Sequence, residues 1–147
     1  MAFVRFQELV VYQLAEALAD AVWDVVCKWD ILARDTVGKQ LIRAVDSIGA
    51  NIAEGSGRHS SNDNRRFVRI ARGSFHETQH WLRRAFRRRL LAAEQTETIS
   101  RLVEELGPRL NAYLNSFGRT GTPRKHVAPN NKNEIQNTKH TIPQDVP

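Results

Sequence analysis

Cysteine is almost missing from this chain. Cys27 is the only one in 147 residues, so no intramolecular disulfide can staple the fold, and a reducing cytoplasm suits such usage. Its neighbours Val25, Val26 and Trp29 predict a buried thiol. Long apolar runs are missing as well. Glu16, Asp20 and Asp24 interrupt each stretch that could act as a secretory signal, and no run approaches the roughly 20 apolar residues of a membrane span. Nor does any segment alternate apolar and polar residues as a half-buried strand does. A single helical domain outside the membrane is the expectation, and 147 residues are enough to bury a real core.

Proline is confined to Pro108 and to Pro123, Pro129, Pro143 and Pro147. Beyond Phe117 there are also four asparagines between 130 and 137 and no aromatic residue. Such a composition cannot bury enough apolar surface to offset its ordering entropy. Residues 1–117 therefore read as the folded domain and 118–147 as a disordered basic tail, either a dispensable extension or an aid to non-specific nucleic-acid affinity.

Within the domain, apolar residues recur at helical spacing in four stretches. The first, about 8–29, carries Leu14, Leu18, Val22, Val25 and Trp29. The second, about 36–54, carries Leu41, Val45, Ile48 and Ile52. A third, about 61–90, carries Phe67, Ile70, Ala71, Ser74, Thr78, Trp81, Leu82 and Ala85. The fourth, about 96–117, runs from Ile99 through Leu106 and Leu110 to Phe117, with Gly107-Pro108 expected to kink it. Similar lengths and short links point to an all-α, antiparallel up-down-up-down four-helix bundle.

The turn between the second and third stretches is the most informative part. Gly55 and Gly57 supply a permissive backbone where a left-handed residue could close a helix, Ser60 is a good N-cap, and Asp63 places a carboxylate at the next helix start. Glu54 and Arg58 flank the turn as a possible ion pair, which either fixes the hairpin or a subunit contact or binds a ligand. Asn51 is expected to be a buried polar group that specifies register.

Charge is unevenly spread. Residues 1–57 hold 5 basic and 8 acidic side chains, 58–89 hold 10 and 2, 90–117 hold 2 and 4, and 118–147 hold 5 and 2. Net charges of −3, +8, −2 and +3 give the total of +6, so the basicity is local and argues for an anionic partner. In the third helix Arg65, Arg69, Arg72, His76, His80, Arg83 and Arg87 step by three or four residues and form one stripe roughly 33 Å long. Arg84 and Arg88 add to its dense end. Like charges at i,i+4 cost a helix about 0.2–0.5 kcal/mol per pair, and no acid interrupts the stripe. Either acidic residues of another helix or subunit neutralise it, or an anion such as phosphate does, which arginine forks suit. No set of Asn and Gln is placed to read bases, so sequence specificity is not expected.

The same stripe contains His76-Glu77-Thr78-Gln79-His80, a literal H-E-x-x-H, which on a helix can hold zinc with two imidazoles and a general base. Its extension fails, because Arg83 and Phe86 stand where glycine and a third histidine would be. Glu97 or Glu104 could supply a third ligand, but Arg72, Arg83 and Arg84 would repel a dication. No other catalytic set stands out, no cofactor motif occurs, and a non-enzymatic protein is expected.

Ser47-Ile48, Asn51-Ile52-Ala53-Glu54-Gly55, Gly57-Arg58, Arg66-Phe67, Ile70-Ala71, Gly73-Ser74 and Glu77 carry a family resemblance. Gln40-Leu41, Arg43-Ala44-Val45, Phe6 through Val11, Gln13 and Ala15 extend it, so that it covers about residues 3–117. Together they resemble the bacterial four-helix bundle family encoded by 23S ribosomal RNA intervening sequences. Gly49 stands where that family usually has proline, and Lys28 through Ala33 replace its usual aromatic-proline turn. The resemblance implies a homo-oligomer, pentameric in that family, and a relation to accessory proteins of diversity-generating retroelements, which bind a reverse transcriptase and nucleic acid. The resulting expectation is a cytoplasmic bundle that binds nucleic acid, RNA or an RNA/DNA hybrid, through Arg65, Arg69, Arg72, Arg83, Arg84, Arg87 and Arg88. Its alternatives are a protein-interaction module whose stripe is paired to acidic helices and, more remotely, a zinc hydrolase.

Overall fold

The computed structural model describes residues 5–118, and every regular element among them is helical. A 3-10 turn, Phe6–Glu8, leads into α1, Val10–Val26. One α turn, Ile31–Ala33, and a π-helical turn, Arg34–Gly38, lead into α2, Lys39–Ser56. Helix α3 spans Ser61–Arg87 and α4 spans Ala93–Ser116. The expected tail lies outside the described residues, apart from Gly118. No described helix is long and apolar enough to cross a membrane.

Local chemistry explains where the helices begin. Asp30 accepts the Ala33 N–H at 3.0 Å and starts the turn before α2. Ser60 accepts the Asp63 N–H at 3.4 Å and caps α3, as its sequence predicts. For α4 the Gln95 side chain accepts the Ala92 N–H at 2.9 Å, satisfying a donor just outside the first turn.

The helices assemble because each buries one stripe. Ala15, Leu18, Val22 and Val26 from α1, Leu41, Val45, Ile48 and Ile52 from α2, Val68, Ala71 and Phe75 from α3, and Ile99, Leu106, Leu110 and Leu114 from α4 make one core. A fully buried aliphatic side chain of this size contributes roughly 1.5–3 kcal/mol. Helix α1 packs against α2 and α4, and α3 against the same two. Gly38 meets Val26 and Gly49 meets Tyr12, while Gly55 meets Phe67 and Ser47 bonds Ser74, so neighbouring helices run antiparallel. These contacts fit an up-down-up-down order. At one end of the bundle the Trp29 indole N–H donates to the Leu90 carbonyl at 2.9 Å, tying the end of α1 to the link between α3 and α4. Pro108 lies inside α4, and beside it Gly107 leaves room for the Phe75 ring, which a Cβ would meet at 3.2 Å.

Four expectations are corrected. Cys27 is exposed, because Val25 and Val26 take the inward positions at the end of α1. Gly57 closes α2 in the right-handed region (φ −81°), and no described glycine has positive φ. Gly55 is needed for close approach instead: a Cβ there would lie 2.7 Å from Asn64 Oδ1 and 2.9 Å from Phe67 Cβ. Ile70 is 42% exposed, whereas Val68 and Phe75 are buried. The inward row of α3 is Val68, Ala71, Phe75, Thr78, Leu82 and Ala85, set by its own 3-4 spacing rather than by the direction opposite the arginines.

A left-handed residue does end a helix, but at α3. Arg89 has φ 60°, its N–H donates to the Phe86 carbonyl at 3.1 Å, and the Leu90 N–H donates to the Ala85 carbonyl at 3.0 Å. This is the two-bond Schellman cap usually built on glycine.

Candidate nucleic-acid interface

Helix α3 carries the basic residues because its core row is narrow and leaves most of its girth in solvent. Arg69, Arg72, Arg83 and Arg87 are exposed, and Arg65 is half-buried with its Nε lacking a hydrogen-bond partner. At about 100° per residue these five share a sector of about 60°. His76 and His80 lie on the same stripe and are exposed. Arg84, half-buried, and Arg88, at the exposed C-cap, fall about 60–100° beyond the edge of that sector. The predicted set is therefore one row of five with two arginines on the adjoining face.

Charge pairing separates this row from the rest of the molecule. Ion pairs among the described residues are Arg34–Asp35, Arg58–Glu54, Arg101–Glu97 and Arg109–Glu105. None involves an arginine of α3. The helix has two acids: Asp63 in its first turn, and Glu77, which accepts the Trp81 indole N–H at 3.3 Å. Arg83, Arg84, Arg87 and Arg88 at the C-terminal end do gain from the helix dipole, about 0.3–1 kcal/mol per exposed cation. That gain does not extend to Arg65, Arg69 or Arg72.

The turn residues have structural employment. Arg58 Nη2 donates to Glu54 Oε1 at 2.6 Å, and its guanidinium stacks 4.8 Å from the centroid of Phe67. Asn51 Nδ2 donates to the Ser47 carbonyl and hydroxyl at 2.7 and 3.0 Å, and Ser74 Oγ reaches Ser47 Oγ at 2.9 Å across the interface. Asn51, Glu54, Gly55, Gly57 and Arg58 thus form the α2–α3 hairpin.

The metal motif stays incomplete. His76 and His80 face solvent, and among the described residues no three His, Cys, Asp or Glu side chains gather as a metal site. Of the two possible third ligands, Glu97 pairs with Arg101 at 3.6 Å and Glu104 lines a different surface cleft.

Two concave surfaces were not anticipated. A cleft of about 480 Å³ lies between the C-terminal half of α3 and the start of α4, with Leu82, Phe86, Leu91, Ile99 and Val103 as its apolar lining and Arg83 and Glu104 as its charged members. Phe86 is 58% exposed there. Its placement inside the run Arg83 to Arg89 was the available signal. The other, about 350 Å³, lies between α1 and α2 and is lined by Phe6, Tyr12, several small residues and the acids Glu16, Asp20 and Asp46. Asp46 is exposed as a residue, but partial desolvation of its carboxyl against the groove first, and the Asp20 charge second, hold it above its usual range. Burial, Glu16 and Asp20 likewise push the Tyr12 phenol up.

A helical bundle with one arginine-lined helix is the class that fold and surface define. The chain belongs to the 23S rRNA-intervening sequence protein family, whose model matches residues 7–112. Among solved structures it is similar to a protein of unknown function from the S23 ribosomal protein family of Bacteroides thetaiotaomicron. The two share 27% identity and a TM-score of 0.63, over 71% of this chain and 98% of that one. No curated protein matches the chain.

Proposed function

We propose that this protein is a non-enzymatic, self-associating bundle that binds nucleic acid, RNA or an RNA/DNA hybrid, through the basic face of α3. The observation that carries this reading is the row of Arg65, Arg69, Arg72, Arg83 and Arg87, none of which has a carboxylate partner among the described residues. Phosphates spaced along a strand would relieve the repulsion within the row, and guanidinium forks suit them. Copies joined in an oligomer would multiply weak contacts into useful avidity. Service as the accessory subunit of a reverse transcriptase is the extension suggested by the family resemblance, and a reverse-transcriptase gene beside this one would support it.

The test is a mobility-shift titration on structured RNA and on duplex DNA at two salt concentrations. Five phosphate contacts give a log–log salt slope of about −4 to −5 on duplex. Replacing Arg69 and Arg83 with glutamate lowers that slope by about two, with oligomer mass unchanged. Absence of any salt-sensitive binding would remove the proposal.

A second reading is favoured by the acidic groove between α1 and α2. There the arginine row of one copy would seat against Glu16, Asp20 and Asp46 of another, making the stripe an assembly contact. In that case the Arg69→Glu, Arg83→Glu variant loses oligomer mass.

A further inference from the structure

We infer that the cleft between α3 and α4 takes an unpaired nucleotide base, stacked on Phe86, so that single-stranded nucleic acid is the preferred partner of the basic face. The inference rests on the nucleic-acid reading above and narrows its ligand class.

Phe86 is out of place by hydrophobic accounting. It is a large aromatic side chain, 58% exposed, set in the sequence Arg83-Arg84-Ala85-Phe86-Arg87-Arg88-Arg89. Its neighbour Ala85 is fully buried, so the helix turns Phe86 out beside the core rather than into it. Behind the ring, Leu82, Leu91, Ile99 and Val103 form an apolar wall, while Gln79, Thr96 and Ser100 add polar groups to the lining. The volume of about 480 Å³ lies in the roughly 300–1,000 Å³ range of small-ligand clefts. A duplex keeps its bases stacked inside and could offer this cleft only its backbone.

Charge selects among apolar occupants. Arg83 lines the cleft, and Arg87 follows one helical turn later on the same row. Glu104 lines it from the α4 side. That carboxylate repels phosphate and holds the backbone on the α3 side, and it can accept from the amino edge of a base. An aromatic surface flanked by unpaired arginines is how sequence-tolerant single-strand sites are commonly built, the stacked base adding affinity whatever its identity because every base has a π-face.

Fluorescence anisotropy with three labelled probes tests this: a mixed-sequence single strand, the same backbone with abasic sites throughout, and the matched duplex. The single strand should bind about tenfold or more tighter than its abasic counterpart. Phe86→Ala should remove that advantage, leaving the abasic and duplex affinities and the salt slope unchanged, and Phe86→Trp should restore it. Equal binding of basic and abasic strands overturns the inference. So does a Phe86→Ala variant that weakens all three probes alike, or one that changes oligomer mass but not binding, since the cleft is then a protein contact. In each of these cases salt-sensitive binding whose slope falls by about two on reversing Arg69 and Arg83 would leave the parent reading standing. Absence of salt-sensitive binding to every probe would remove both.

Discussion

The two ends of α3 are built on opposite principles. At its start, local contacts shape the turn: Arg58, just ahead of the helix, is paired to Glu54 and stacked on Phe67, Ser60 caps the backbone, and Gly55 brings α2 close to Asn64 and Phe67. At its other end Arg83, Arg84, Arg87, Arg88 and Arg89 crowd together without a carboxylate partner among the described residues, and one of them, Arg89, holds a left-handed backbone. The residues that identify the family sit mostly at the first end. Hairpin contacts gather at that end, whereas arginines without a carboxylate partner among the described residues run the length of the helix from Arg65 and crowd most at the other end, so the recognisable sequence and the densest charge need not coincide on one helix.

The contrast can be broken most severely at Gly55. Gly55→Val should cost about 2–3 kcal/mol by overpacking against Phe67 Cβ and the Asn64 backbone, read as a lower urea midpoint at unchanged slope. Trp29→Phe comes next, at about 1 kcal/mol, because the Leu90 carbonyl loses its indole donor. Gly73→Ala should act in the other direction and stabilise by about 1 kcal/mol, since nothing lies within 4 Å of the added Cβ in the middle of α3. A destabilised Gly73→Ala variant would show that this surface is covered in the native assembly.

Smaller effects sharpen the same contrast. Arg89→Gly relieves roughly 1–2 kcal/mol of left-handed strain but adds about 0.5–1 kcal/mol of unfolded-state entropy, for a net gain of about 0.5 kcal/mol. Its melting temperature should rise, as thermal unfolding followed by circular dichroism would read. Asp46 gives the smallest effect and a pH dependence. Its raised pKa means the folded chain binds that proton more tightly than the unfolded chain does. The resulting penalty is present above the folded pKa and disappears as pH falls below the ordinary carboxylate range. Asp46→Asn should therefore raise the melting temperature near neutral pH and leave it unchanged near about pH 3. A loss of oligomer mass in Asp46→Asn would instead place a basic partner in that groove.

Much of the fold was legible because helix spacing, caps and glycine turns are local. The observed helices lie close to their expected bounds, and Ser60, Glu54 and Arg58 do what their spacing suggests. The phase of α3 was harder to read. Drawing its core face opposite the arginines places Ile70 inward and misses Val68 and Phe75, because a helix packed between two neighbours need not aim its charges directly away from the core. Cys27 was misread from its apolar neighbours, although consecutive residues on a helix face different directions. The positive φ of Arg89 has no composition signal, since glycine is the residue that ordinarily marks such a cap. Of the site, the arginine row was visible in sequence. The cleft beside Phe86 was not, because it depends on where Ile99 and Val103 of α4 come to lie.

The wide turn Arg34–Gly38 holds one residue more than a regular helix would use. It is thus a place where the chain has slack in length. Deleting one residue between Asp35 and Val37 would leave an ordinary helix with the faces on both sides kept in phase. The same deletion inside Lys39–Ser56 would rotate one part of α2 against the other by about 100° and pull Leu41 or Ile52 out of the core. Tolerance to single-residue deletion should therefore change abruptly at Gly38, and a deletion scan across residues 33–45 would locate that boundary.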